Sequence, residues 1–380
     1  MQIFYHIVDI LSIHFLVWYN AFYKKFKGKN ILVHICCSVD SHFFLQKLQK
    51  DFPHEKLIGF FYDPNIHPYF EYKLRFLDVS RSCKKLGIEL IEGPYDFEVW
   101  LDAVKGLENE PEKGKRCEVC FDKRFDVSAK KALELGEKKI TTTLLVSPLK
   151  SQEQLKQSGD AFYEKYGVEF IAVDYRAKGG TQDQSRVTKE EQLYRQDYCG
   201  CIYGLTMQRE QQNRLMDEMF SPISAQILPA SIEERLEMYE KRILLEDKGI
   251  KYKIIKQKFL NYRQFNLKVT EAKTINIPAY ALSYSTLPRK KVQGNKVKEE
   301  VTLITLNTFN KASKKIYKDM TQLIYNPPTF DEEMKIKEHL DSCSYDLTPI
   351  IVVKEIPIKK LTIELDAITY EDVKEKLIII

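Results

Sequence analysis

The 380-residue sequence has little of what marks repetitive, secreted or membrane-spanning proteins. It holds only 15 glycines and 14 prolines, and we find no internal repeat or low-complexity tract. Its eight cysteines are too few and too clustered for a disulfide framework in a chain of this length. No uncharged apolar run reaches about 18 residues, so a membrane span is not expected. What remains is an ordinary globular composition, 44% hydrophobic and 30% charged.

Residues 1–28 form an apolar and aromatic segment of their own. His6, Asp9 and His14 interrupt it, and it has neither the basic start nor the small-residue cleavage site of a signal peptide. Four lysines, at positions 24, 25, 27 and 29, form a basic hinge before the first clear strand. We expect an appended helix that packs on the following domain. A start codon assigned too far upstream is the alternative.

The cysteines that are present are grouped in an unusual way. Six of them form three tight pairs, and Asp40 follows the first pair after three residues: Cys36-Cys37, Cys117-x-x-Cys120 and Cys199-x-Cys201. In a reducing cytoplasm, where we expect this protein, close-set cysteines indicate metal ligands or redox thiols. The other two, Cys83 and Cys343, stand alone and are predicted to be packing residues.

Spacing alone leaves three interpretations of the pairs open. A structural zinc would use four ligands, and a dithiol enzyme would need one low-pKa pair at a helix start. An iron–sulfur assembly would use all six thiolates, with three or four on a [4Fe–4S] cluster and two on an adjacent single iron together with the carboxylate. We favour the third interpretation because six thiolates and a carboxylate exceed what one zinc or one cluster needs.

Apolar runs alternate five times with helix-like segments in the first half of the chain. The predicted strands are 31–35, 57–62, 88–92, 139–146 and 168–173, and the predicted helices are 41–49, 69–86, 120–135 and 152–166. This alternation predicts a Rossmann-like parallel α/β sheet. Ligands of such sheets bind at the carboxyl edge of the strands, where the first cysteine pair and Asp40 would lie. We place the catalytic domain at residues 29–215.

The second half has a different character. We predict a helical connector at 216–249 and a basic, mainly β domain with some helix at 250–380. Residues 241–300 carry 15 Lys/Arg and 5 Asp/Glu, a net charge of +10, although the whole chain is only +5. This asymmetry suggests an anionic partner, and interleaved aromatic residues would suit RNA: Tyr252, Phe259, Tyr262 and Phe265. A solvated basic face above an aromatic core is an equally good alternative.

Five motifs, in order, match one known family. They are HICCSVDS at 34–41, FYDPNIHP at 61–68 (followed by Glu71, Tyr72 and Arg75), RCEVCF at 116–121 (followed by Arg124), TTTLLVSP at 141–148 and LYRQDYCGCIY at 193–203. On these motifs the chain resembles the cobalamin-independent epoxyqueuosine reductases, the QueH family, over about residues 30–205. The family does not account for the first 28 residues or for those after about 250.

The resemblance implies a reductive deoxygenation. The epoxide oxygen of epoxyqueuosine in a tRNA anticodon would be removed as water with two electrons and two protons. An external donor would supply the electrons. A [4Fe–4S] cluster and an adjacent mononuclear iron would take part, without cobalamin. Metal binding is carried onto Cys36, Cys37, Asp40, Cys117, Cys120, Cys199 and Cys201. Asp40, Tyr62, His67 and Arg195 are candidate catalytic residues, and the candidate substrate contacts are Asn65, Arg176 and Lys178.

The first motif also resembles the Ser-Gly-Gly-x-Asp-Ser loop of the PP-loop ATP pyrophosphatases. That likeness implies a PP-loop or HUP-like scaffold for the sheet. Two cysteines and a serine stand where glycines would let the backbone cradle a pyrophosphate, so ATP binding is disfavoured. The alternatives to a reductase are a PP-loop-like tRNA thiolation enzyme and a zinc-stabilised RNA-binding module.

Overall fold

The computed structural model describes residues 30–148, 150–220, 226–294, 300–341, 343 and 345–380. The predicted N-terminal segment lies outside these described residues. The chain divides into two compact units, Met1–Met216 and Asp217–Ile380. The division falls one residue after the predicted end of the catalytic domain, and the bounds of a separate connector stay a prediction.

The first unit is built on a five-stranded parallel sheet with the order β3-β2-β1-β4-β5. The strands are β1 Asn30–Ile35, β2 Lys56–Phe61, β3 Glu89–Glu92, β4 Lys139–Thr142 and β5 Glu169–Phe170. The helices are α1 Ser38–Asp51, α2 Tyr69–Leu86, α3 Phe97–Ala103, α4 Lys115–Leu135, α5 Gln152–Tyr166, α6 Gly180–Glu190 and α7 Ile202–Gln211. This order is the Rossmann arrangement, so the predicted fold class is confirmed.

The strands and helices form because each apolar run has a layer to bury it. Ile31, Leu32 and Val33 of the central strand are fully buried, as expected for a parallel strand covered on both faces. The predicted strand 139–146 is wrong at its end, because β4 stops at Thr142. The Thr142 hydroxyl accepts a hydrogen bond from the Leu144 N–H (3.2 Å) and starts a 3-10 turn, Thr143–Val146.

The second unit contains most of the antiparallel structure. It comprises α8 Ile232–Asp247, β6 Tyr252–Glu271, β7 Ile275–Ile277, β8 Ala279–Ala281, β9 Lys291–Gly294, β10 Thr302–Thr305, α9 Leu306–Ala312, α10 Met320–Tyr325, α11 Phe330–Asp341, β11 Ile350–Val353 and β12 Leu361–Ile379. One sheet has the order β7-β6-β12-β9, and a second has the order β10-β11-β8. The prediction of a mainly β region with some helix is confirmed. Among all helices of the described residues, none is long and apolar enough to cross a bilayer.

Candidate metal centre

The first cysteine pair lies where the central strand β1 ends and α1 begins. Cys36 and Cys37 fill this junction, and Asp40 lies in the first turn of α1. The Cys36 Sγ is 3.8 Å from the Cys37 Sγ and 3.9 Å from the Asp40 Oδ2, and all three side chains are buried. Their ligand atoms lie within 4.8 Å of one another, which is close enough for all three to bind one metal ion.

Burial makes Asp40 and Cys37 costly to ionise when no cation is bound. Burial raises the pKa of Asp40 to about 6, although Gln184 Nε2 donates a hydrogen bond to the Asp40 Oδ1 at 2.8 Å. The hydrogen bond with Cys36, together with burial, raises the pKa of Cys37 well above its ordinary value. A bound metal ion would displace these protons, since it binds the thiolate and carboxylate forms.

Three of the four cysteines in the other two pairs belong to one apolar cluster, and Cys117 packs against the core of the sheet. Cys117 and Cys120 lie one turn apart near the start of α4, and Cys201 caps the start of α7. Cys120 and Cys201 pack with Trp100, and Cys199 packs against the same cluster. A hydrogen bond from Cys201 lowers the pKa of Cys199 to about 5.

The four thiols of these pairs lie within electrostatic reach of one another. Burial is the main reason that the pKa values of Cys117 and Cys120 are raised, and the charge of Cys199 raises both further. The Trp100 indole N–H lies beside the Cys120 thiol without a well-formed hydrogen bond, so it is a buried donor left for another acceptor. Four thiols that interact electrostatically, with this N–H beside one of them, could hold an anionic cluster.

Lys150 is a buried cation beside two of the pairs. Its ammonium is 3.1 Å from Glu112, and its side chain is only 8% exposed. Burial alone would lower the pKa of Lys150, but Cys199, Glu112 and Cys117 raise it above its ordinary value. The same ammonium opposes the burial that raises the pKa of Asp40. Lys150 therefore interacts electrostatically with Asp40, which lies beside the first pair, and with one cysteine of each of the other two pairs.

Arg124 is the second buried cation of the centre. It forms an ion pair with the buried Asp63 and lies close enough to Cys120 and Cys36 for both thiols to raise its pKa. Arg124 thus interacts with one thiol of the first pair and one thiol of the second pair. These two cations interact electrostatically with five of the seven predicted ligands: Cys36, Asp40, Cys117, Cys120 and Cys199. Sequence reasoning quoted Arg124 only as part of a motif and missed Lys150, which follows the motif TTTLLVSP after one residue.

A buried ion pair holds the loop of the third pair. Arg75 donates from Nη1 to the Cys199 carbonyl (3.1 Å) and from Nη2 to the Tyr198 carbonyl (3.0 Å). Its Nε donates to Glu71 at 2.7 Å, and the other Glu71 oxygen accepts from the Tyr194 hydroxyl at 2.8 Å. The sequence contained the signal for these residues, since both belong to the second motif, but no role was assigned to them.

Gly200 lets the third pair approach the loop between β2 and α2. Its φ of +105° lies in the region that favours glycine, and a Cβ there would be 2.8 Å from the Ile66 Cγ1. The Gly200 carbonyl accepts a hydrogen bond from the His67 N–H at 2.9 Å. The close neighbour that the structure describes is Ile66.

The predicted side chains of that loop have different environments. Tyr62 is fully buried and donates to Asp96 Oδ2 at 3.2 Å. Asn65 is buried, and its Oδ1 has no hydrogen-bond partner among the described residues. The His67 ring stacks on Phe97 with 4.5 Å between centroids, and its Nδ1 also lacks a partner in the described part of the chain. Asn65 and His67 therefore hold polar atoms that a ligand could use.

The predicted basic residues are less enclosed. The guanidinium of Arg176 donates to the carbonyls of Ser147 (3.2 Å) and Lys150 (3.0 Å), so it holds the segment that carries the buried lysine. Arg195 and Lys178 are exposed. A catalytic role for Arg195 and substrate contact by Arg176 and Lys178 stay predictions.

The two single cysteines differ from one another. Cys83 is buried, in agreement with a packing role. Cys343 is exposed, so the packing prediction for it is wrong.

Comparison with known proteins identifies the family. Residues 31–207 match the family model described as epoxyqueuosine reductase QueH. An epoxyqueuosine reductase QueH of Helicobacter pylori is 38% identical over 364 residues, which is 90% of this chain and 98% of that protein. One from Thermotoga maritima is 35% identical over 183 residues, 47% of this chain and 92% of that protein.

A solved structure, the U34-tRNA thiolase NcsA from Methanococcus maripaludis with its [4Fe-4S] cluster, covers 58% of this chain and 74% of that chain. It is 15% identical with a TM-score of 0.32, which is too low to establish a shared fold. The relative from Helicobacter pylori, in contrast, extends over nearly its whole length and most of this chain. The chain therefore belongs to the epoxyqueuosine reductase QueH family.

Proposed function

We propose that this chain removes the epoxide oxygen of epoxyqueuosine in a tRNA anticodon by two-electron reduction, the last step of queuosine biosynthesis. The observation that supports it best is the group of two buried thiols and a buried carboxylate at the end of the central strand, with members of the other two cysteine pairs beside the same two buried cations. The chain that carries this arrangement belongs to the QueH family, whose members are named epoxyqueuosine reductases and are therefore oxidoreductases. The substrate is thus the anticodon of a tRNA, and an external donor supplies the electrons.

The donor set fits two iron sites, and geometry suggests how the ligands divide. Cys36, Cys37 and Asp40 lie together and offer two thiolates and a carboxylate to a single iron. The remaining four thiols suit a [4Fe–4S] cluster, because three of them share the apolar cluster around Trp100 and the fourth, Cys117, interacts electrostatically with Cys199: Cys117, Cys120, Cys199 and Cys201. Lys150 and Arg124 offset part of the negative charge that these ligands carry once deprotonated.

When bound, the two groups supply single electrons and a Lewis acid for the epoxide oxygen, without cobalamin. The protein's own residues would position the modified base and deliver protons. Asn65 offers an unpaired Oδ1 and His67 an unpaired Nδ1, which makes them candidates for hydrogen bonds to the substrate. Burial raises the pKa of Tyr62, so its hydroxyl keeps its proton at neutral pH. Arg195 and Lys178 are exposed and available to phosphates, whereas Arg176 orders the Lys150 segment.

Metal analysis and activity test the proposal together. The protein, purified without oxygen, should hold about five irons per chain. Cys37→Ala and Asp40→Ala should each lose about one iron and stop the conversion of epoxyqueuosine-tRNA to queuosine-tRNA. Cys83→Ala is the matched control, because Cys83 is equally buried but lies outside the centre. It should keep both iron and activity.

The outcomes separate the alternatives. One zinc and no iron per chain would contradict the proposal and favour a zinc-stabilised RNA-binding module. Full iron with transfer of sulfur to tRNA in the presence of ATP would favour a thiolation enzyme. Loss of four irons rather than one in Asp40→Ala would contradict the proposed division of the ligands.

A further inference from the structure

The two longest strands of the second unit extend into a two-stranded ribbon. β6 and β12 pair in antiparallel fashion from Tyr252 opposite Ile379 to Glu271 opposite Leu361. β7 pairs only with residues 269–271 and β9 only with residues 361–364. Within the described residues, segments 252–260 and 371–379 therefore have no strand partner other than each other. We call these two segments the ribbon.

One face of the ribbon contacts helix α8. Arg242 Nε donates to the Tyr252 hydroxyl at 2.5 Å, and Arg235 lies 3.7 Å from Glu375. Glu375 is opposite Lys256, which lies four residues from Tyr252 and hence on the same face. This face, which we call the helix face, therefore presents residues 252, 254, 256, 258 and 260 with their partners.

The opposite face, which we call the outer face, differs in charge. The outer face carries three lysines and one acidic residue, a net charge of +2: Lys253, Lys374, Lys376 and Asp372. The helix face carries two lysines and two glutamates, a net charge of zero: Lys256, Lys258, Glu371 and Glu375. Both faces come from the same two segments, so the asymmetry arises only from which positions the lysines occupy.

The lysines of the outer face are available to a ligand. Lys253 and Lys376 are exposed, and none of the three lysines forms an ion pair with another described residue. Lys374 lies over the Phe259 ring with its Nζ 5.3 Å from the centroid, so its stem covers the aromatic ring. The acidic residue of this face is already occupied, since Asp372 accepts from Asn261 Nδ2 at 2.8 Å and from the Val373 N–H at 2.7 Å.

We propose that the outer face of the ribbon binds the sugar–phosphate backbone of the tRNA outside the modified anticodon base. The identification of the anion as tRNA rests on the proposed function, whereas the charge asymmetry does not. Residues two apart on a strand present cations about 6.6 Å apart on one face, and neighbouring strands lie about 4.8 Å apart. Ammonium groups at such spacings contact several phosphates at once. The QueH family model ends at residue 207, so this contact would be an addition to the family's core.

A pair of double variants tests this surface in the full-length iron-loaded protein. Lys253→Gln with Lys376→Gln removes two exposed lysines from the outer face. Lys256→Gln with Lys258→Gln removes two exposed lysines from the helix face of the same ribbon and is the control. Binding of unmodified tRNA is measured between about 50 and 200 mM salt. Each lost phosphate contact makes the plot of log affinity against log salt concentration less steep by about 0.9. Salt weakens the binding of both proteins, but over this range the fold-loss of affinity should be about twelve times smaller for the outer-face variant than for the wild type.

The control should retain the wild-type salt slope. Equal slopes for the two double variants would overturn the proposal, even if the protein reduces epoxyqueuosine. A lowered slope only in the outer-face variant would support it, even if no reduction is found, so the two proposals fail separately. If the outer-face variant loses binding to vesicles containing phosphatidylglycerol but not to tRNA, the surface is a lipid contact and the proposal is wrong. If it changes only the oligomeric state in sedimentation, the face contacts a second copy and the proposal is again wrong.

Discussion

Replacement of Gly200 by alanine should disturb the metal centre more than a typical glycine substitution. A φ of +105° strains any residue with a Cβ, at a cost of about 1–3 kcal/mol. The new Cβ would also lie 2.8 Å from the Ile66 Cγ1 and 3.2 Å from the Arg75 Nη1. Crowding of this kind costs about 1–3 kcal/mol. The two effects together should lower the free energy of unfolding of the first unit by about 2–6 kcal/mol.

Two other glycines separate the causes. Gly87 has a φ of +66° but no atom within 4 Å of an added Cβ, so Gly87→Ala tests backbone strain alone, with an expected loss of about 1–2 kcal/mol. Gly204 lies in α7, where an added Cβ would be 3.8 Å from the Cys199 Sγ, an ordinary contact. Gly204→Ala should stabilise the helix by about 0.5–1 kcal/mol.

Fluorescence of Trp100 reports on the first unit, because this buried indole packs with Cys120 and Cys201. The chain has two tryptophans, so Trp18 is replaced by phenylalanine in every variant. In urea unfolding of the metal-free proteins, stability should decrease in the order Gly204→Ala, wild type, Gly87→Ala and Gly200→Ala. Iron content after reconstitution should be reduced in Gly200→Ala alone. If Gly200→Ala unfolds at the urea concentration of Gly87→Ala, the contact with Ile66 has no energetic weight and the reasoning is refuted.

Three further substitutions test the surroundings of the centre. Arg75→Lys loses hydrogen bonds to two carbonyls and should destabilise the metal-free protein by about 1–3 kcal/mol in urea unfolding. Arg186→Lys is the control, because Arg186 forms an exposed ion pair with Glu190, and it should change stability by less than about 0.5 kcal/mol. Arg124→Met leaves the buried Asp63 carboxylate without its cation and should cost about 3–5 kcal/mol at pH 8. The loss should shrink as the pH falls towards 6, because burial raises the pKa of Asp63 to about 6 although Arg124 opposes this rise, so that without Arg124 the acid takes up its proton at a higher pH and then needs no cation. Asp40→Asn should stabilise the metal-free protein by about 3 kcal/mol at pH 8, since the pKa of Asp40 is about 6 when folded and about 3.9 when unfolded. The gain should fall towards zero between pH 6 and 4, where the wild-type side chain becomes protonated in the native state and then in the unfolded state; a gain that does not vary with pH would contradict this account.

The fold was accessible from the sequence wherever periodicity is local. The predicted helices 69–86 and 152–166 coincide with α2 and α5, since both are amphipathic and bounded by turn residues. Tertiary context decided the remainder. For the second half the sequence predicts only a mainly β domain, and the length of β6, from Tyr252 to Glu271, depends on its partner β12, which lies more than a hundred residues later in the chain. A long ribbon of alternating lysines and apolar residues has no local signal that tells where it stops.

The candidate ligands of the cysteine centre can be selected from the sequence, but the residues that surround them cannot. The two members of each pair, and Asp40 with the first pair, are close in sequence, so the spacing within each group indicates shared ligation. Arg75 reaches the Cys199 carbonyl across 124 residues, and no local pattern relates the two. Lys150 carries no motif of its own, and only the folded chain places it beside Cys199. The residues that sequence reasoning missed are those that act through contacts distant in the chain.

The environment of Asp40 shows why this site is organised for function rather than for stability. A carboxylate that burial holds at a pKa of about 6 weakens the metal-free fold at neutral pH. One hydrogen bond from Gln184 and the field of Lys150 oppose this penalty without removing it. Two thiols that are also buried lie beside it, and at Cys37 burial again opposes ionisation. A cation bound at this position would turn Asp40 and Cys37, which are costly to ionise without it, into ligands, so the binding of metal and the stability of the first unit should be coupled.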